Sequence, residues 1–88
     1  MIARVATFDQ LSPDELDPDA VERLRETIRS QPGFRAGYHM HDPQSGKALS
    51  VVVFESREAF EAMRDERPKG QRIGIEPNSV EFFEVIEF

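Results

Sequence analysis

The chain has 88 residues, no cysteine, and 17 acidic against 11 basic side chains, for a net charge of −6. That balance repels a phosphate backbone, and the arginines are scattered instead of forming one basic run, so nucleic acid is not an expected partner. The missing thiols exclude a disulfide framework or thiolate metal site and fit a cytoplasmic location; no apolar run reaches membrane-spanning length and no basic signal segment opens the chain, so no membrane partner is expected.

The length predicts a single domain over residues 1–88. A domain of this size buries only roughly 60–65% of its unfolded surface, so a second burial surface is expected, and a copy of the same chain is one way to supply it.

Ile2 to Phe8 reads as a first strand, β-branched in character, with Arg4 as its interior charge. A polar connection follows, with Ser12-Pro13-Asp14 as a turn signal. The first helix has a defined start: Asp17 is the expected N-cap, Pro18 suits the first helical position, and Asp19 and Glu22 complement the positive end of the dipole. Ala20, Val21, Leu24 and Ile28 recur at helical spacing as an apolar stripe, and Pro32-Gly33 stops the helix. Phe34 to His41 reads as a second strand, with Phe34, Ala36, Tyr38 and Met40 on one face and Arg35, Gly37, His39 and His41 on the other. Asp42 to Lys47 is a hairpin connection in which Gly46 can take positive φ.

Ala48 to Phe54 carries no charge and shows no strict alternation, which marks a central strand buried on both faces. Ser56 then caps a second helix whose buried side is Ala59, Phe60 and Met63, with Pro68 and Gly70 at its end. Residues 71–79 follow no regular period. Val80 to Phe88 reads as a last strand. The order β-α-β-β-α-β is the ferredoxin-like α+β arrangement, a four-stranded antiparallel sheet with both helices on one face. Several strands are apolar on both faces, so the uncovered face is expected to pair with a second copy, sheet to sheet.

Pro32-Gly33-Phe34-Arg35, Ser45-Gly46-Lys47-Ala48-Leu49-Ser50 and Phe54-Glu55-Ser56-Arg57-Glu58-Ala59-Phe60 together resemble the dimeric α/β-barrel superfamily, and more narrowly small domains of the antibiotic biosynthesis monooxygenase type. The resemblance covers nearly the whole chain, with residues 71–79 matching least. It implies a homodimer of ferredoxin-like subunits packed sheet to sheet, with any ligand held in each subunit between sheet and helices. Some members of that superfamily oxidise polyaromatic substrates without a cofactor, and some degrade haem. The oxygen-chemistry branches use asparagine and tryptophan near the cavity, and the haem branch adds a histidine after the second helix begins. Here there is no tryptophan, Asn78 is the only asparagine, neither histidine lies beyond His41, and Phe54 stands at the junction where many relatives have tryptophan.

Phe8, Phe54, Phe60 and Met63 are the residue types that line an apolar pocket, or that simply fill a core. Tyr38, the only tyrosine, can orient a phenolic or quinone-like ligand, or sit as a strand aromatic with its hydroxyl at the rim. Arg4 is either half of an ion pair, with Glu84 or Glu55, or an anion-orienting group in a cavity. His39 and His41 share a face, but no third ligand has diagnostic spacing, so no metal is expected. The expected ligand-binding set is therefore Arg4, Phe8, Tyr38, Phe54, Phe60 and Met63, with no cofactor and no assigned catalytic residue. The expected function is binding of a small, mostly apolar or aromatic molecule. The alternatives are cofactor-independent oxidation of an aromatic or polyketide-like substrate, and a non-catalytic dimerising module with a filled core.

Overall fold

The computed structural model describes residues 1–10, 17–66 and 77–88, with 63–66 described by their backbone alone. Its elements are β1 (Ile2–Phe8), α1 (Pro18–Arg29), β2 (Phe34–His41), β3 (Ala48–Phe54), α2 (Arg57–Glu66) and β4 (Ser79–Glu84). The turn at Ser12, the helix end at Pro68 and Gly70, and residues 71–76 lie outside the described residues.

Local chemistry accounts for the boundaries. Asp17 is extended and its side chain accepts the Asp19 N–H at 3.0 Å, which starts α1 at Pro18. The Ser56 hydroxyl accepts the Ala59 N–H at 3.1 Å and starts α2. In the β2–β3 hairpin the Asp42 N–H donates to the Lys47 carbonyl at 2.8 Å, and Gly46 takes φ +80°. The Asp42 carboxylate accepts the Gln44 N–H and then the Ser45 hydroxyl, which holds its pKa below the ordinary value.

The sheet order is β2-β3-β1-β4 with every pair antiparallel, so the chain folds as the ferredoxin-like β-α-β-β-α-β unit. Phe54 packs with Phe60 of α2 and Ile28 of α1, which identifies the helix-covered face. Across the register that face carries Ile2, Arg4, Ala6 and Phe8 of β1; Ala48, Ser50 and Val52 of β3; and Val80, Phe82 and Glu84 of β4.

Two expectations are corrected. A bulge between Phe34 and Ala36 shifts the β2 register, so Phe34 shares the helix-covered face with Gly37, His39 and His41, whereas Ala36, Tyr38 and Met40 point to the uncovered face. The last strand ends at Glu84, not Phe88. Val85 still donates its N–H to the Met1 carbonyl at 3.0 Å.

The uncovered face is apolar. Ala3, Val5, Leu49, Val51 and Val53 form its centre, with Tyr38, Met40 and Phe83 exposed around them at 62%, 47% and 50%. On the other side α1 lies chiefly over β2 and α2 over β3. No residue of α1 is fully buried, although Ala20, Val21, Leu24 and Ile28 are each half-covered. No helix among the described residues is long and apolar enough to cross a membrane.

Candidate functional site

The helix-covered face is built from three bands. At the end nearest the start of α2, four phenylalanines form a continuous edge-to-face series. Phe34 meets Phe54 at 6.0 Å between centroids, Phe54 meets Phe60 at 5.8 Å, and Phe60 meets Phe82 at 5.3 Å. The Arg57 guanidinium lies 4.8 Å from the Phe82 ring centroid. Phe54 is fully buried, so this band is packed core. At the other end Ala6, Phe8 and Ala48 form a separate buried cluster.

Between them runs a band of small and polar side chains. The register sets Val52 between Gly37 and Arg4, and Ser50 between His39 and Ala6. On β4 the same two rows continue with Phe82 opposite Arg4 and Val80 opposite Ala6, and the Phe34 ring lies over Gly37, 3.5 Å from where a Cβ would stand. Aromatic rings bound the band at both ends.

The His39 pKa is held below its ordinary value, first by loss of water around the ring, then by the Arg25 guanidinium of α1 and by His41. Arg25 itself lies 3.7 Å from Glu22, both side chains half-exposed. Glu55, a candidate partner for Arg4, lies 3.3 Å from Arg35. No cluster of three or more His, Cys, Asp or Glu able to hold a metal occurs among the described residues.

The expected site residues are therefore distributed unevenly. Phe54 and Phe60 sit together in the aromatic series, Phe8 closes the far end, and Arg4 lies between. Tyr38 is on the opposite face, pairing with Val51, because the bulge reverses the side it presents. Met63 lies in α2, but its side chain is outside the described residues. Asn78 is engaged at the sheet edge: its side-chain oxygen accepts the Asp9 N–H at 2.7 Å and its N–H donates to the Thr7 carbonyl at 2.7 Å. His39 and Ser50 belong to the band and were not among the expected residues. Plain alternation puts His39 on the face opposite Phe34, and the bulge brings the two to the same face.

No family model and no curated protein matches the sequence. Solved structures do. A heme-degrading protein from Mycobacterium tuberculosis superposes with a TM-score of 0.68 at 18% identity, covering 99% of this chain and 95% of that one. SnoaB, a cofactor-independent oxygenase from Streptomyces nogalater, gives 0.68 at 14% identity over 99% and 91%. A monooxygenase from Streptomyces coelicolor, in complex with nanaomycin D, gives 0.61 at 18% identity over 99% and 88%. Identities this low speak for the architecture and not for the chemistry. The chain has the ferredoxin-like fold of the antibiotic biosynthesis monooxygenase-type proteins.

Proposed function

We propose that this chain is a single-domain, homodimeric binding protein that holds a small, mostly apolar or aromatic molecule between its sheet and its helices. The observation that carries the reading is the run of small and polar residues Gly37, Ser50, Ala6 and Arg4 on the helix-covered face, with Phe8 on one side and the Phe54–Phe60 pair on the other. Aromatic walls with a few convergent polar groups are the composition of a small-molecule site. The likeness to a fold neighbour crystallised with nanaomycin D agrees with it. In this reading Arg4 is the polar handle, Phe8 and Phe60 are walls with the fully buried Phe54 packed against Phe60, and no catalytic residue or cofactor is assigned. The homodimer is supported by the apolar uncovered face, to which Tyr38 belongs. The location is cytoplasmic, in keeping with the absence of cysteine.

A second reading, a dimerising module with a filled core, is favoured by the complete burial of Phe54. Cofactor-independent oxygenation remains the enzymatic form of the first reading; there the protein positions and desolvates a substrate that itself reacts with oxygen. A thermal-shift and native-mass screen against aromatic polyketides, quinones and haem separates binding from structure. One ligand per subunit with a raised Tm is expected, and no shift with any class favours the filled core.

A further inference from the structure

We infer that β4 and residues 85–88 dock on β2 of a second copy of this chain, so that the self-association surface is the uncovered sheet face widened by Ile86 and Phe88. The inference rests on the homodimer proposed above and adds which strands meet. In the single chain Ile86 is 82% exposed and Phe88 wholly so, and both are more open than Tyr38, Met40 or Phe83 on the sheet itself. The stretch is anchored at its start, where the Val85 N–H donates to the Met1 carbonyl, and Val85 shares the uncovered face with Phe83. The exposed apolar surface therefore continues from the sheet onto residues 85–88, and a patch of that extent marks an interaction site.

Area and charge select the partner and the arrangement. A stable interface takes about 800 Å² from each partner. Four strands at ~4.8 Å and about seven residues at ~3.4 Å give the sheet an outline of roughly 450 Å². A buried phenylalanine such as Phe88 adds about 150–250 Å², so residues 85–88 supply much of the difference. Aligned sheets related by a two-fold axis place β4 either on β4 or on β2. Glu81 lies near the middle of β4 and, opposite Val5, on the uncovered face. Stacking β4 on itself would bring Glu81 against its own copy, and like charges in opposition destabilise such a contact. The β2 residues on the uncovered face are Ala36, Tyr38 and Met40, which carry no charge and leave two large side chains for Phe83, Ile86 and Phe88 to cover.

The test measures the dimer dissociation constant of the full chain by sedimentation, for the parent and for the double change Ile86→Ser with Phe88→Ser. Both positions are exposed, so the variant keeps the parent's circular dichroism, and its dimer is expected to be about a hundredfold weaker, roughly tenfold for each apolar anchor. The chain has no cysteine, so strand contact can be read by cross-linking. The register sets Ser79, Thr7, Leu49 and Met40 in one row across the sheet. Stacking β4 on β2 then brings Ser79 of one copy over Met40 of the other. A mixture of Ser79→Cys chains with Met40→Cys chains is expected to be joined by a short bismaleimide more than either variant alone. An unchanged dissociation constant in the double variant, or no excess joining in the mixture, overturns the inference and leaves the homodimer standing. A parent that is monomeric at micromolar concentration overturns both.

Discussion

Replacing Phe54 by alanine tests whether the aromatic band is core or pocket lining. The ring is fully buried and sits edge-to-face between Phe34 and Phe60, at 6.0 and 5.8 Å. A buried phenylalanine removes about 150–250 Å² from water, worth about 4–6 kcal/mol at ~25 cal/mol per Å². Alanine retains a small part of this, and the cavity left behind adds a further cost, so the expected loss is about 3–5 kcal/mol. At about 0.05–0.15 kcal/mol per residue the whole domain holds roughly 4–13 kcal/mol, so the variant loses a large share of it. Phe54→Leu, which keeps more of the volume, should lose clearly less. Urea unfolding followed by far-ultraviolet circular dichroism measures both. A loss below about 1.5 kcal/mol for Phe54→Ala, with the same denaturant slope, would refute the packed-core account. It would make Phe54 a pocket wall, and ligand affinity should then fall in the same variant.

Sedimentation at micromolar concentration should show the parent as two subunits, and the double change Tyr38→Glu and Phe83→Glu on the uncovered face should leave one; a parent that runs as a monomer removes the sheet-to-sheet dimer. Gly33→Ala should cost about 1–3 kcal/mol by thermal or urea unfolding, since Gly33 has φ +86° and an added Cβ would stand 2.7 Å from that of Ala59. Adding Ala59→Gly should recover the contact part of that loss and not the backbone part. The lowered His39 pKa also sets a sign for acid stability. The unfolded chain takes the proton first, so stability should fall as pH drops below about 6.5 toward the lower folded value. His39→Gln should flatten that segment of the pH–stability curve, and an unchanged curve would refute the assigned cause.

The motifs that carry the family resemblance meet each other in space. The Glu55 N–H, in the β3–α2 junction, donates to the Gly33 carbonyl at 2.8 Å, and Gly33 has no side chain where Ala59 packs. The Pro32-Gly33-Phe34 and Phe54-to-Phe60 segments therefore form one joint between the sheet and α2. This explains why they identified the architecture so well and the chemistry so poorly: they hold the scaffold together and leave the middle of the sheet to other residues.

The sequence by itself determined what depends on neighbours along the chain. Caps at Asp17 and Ser56, the positive-φ turn at Gly33, the hairpin at Gly46 and the bounds of the first three strands all follow from local backbone chemistry, and the element order then leaves few topologies. Tertiary structure alone decided which side of β2 faces the helices. One extra residue in a strand reverses every later side chain, and nothing in the composition of Phe34 to His41 announces it. That reversal sent Tyr38 to the uncovered face and brought His39 beside Ser50. The end of β4 was decided the same way, because a strand extends only as far as its partner, and β1 begins at Ile2.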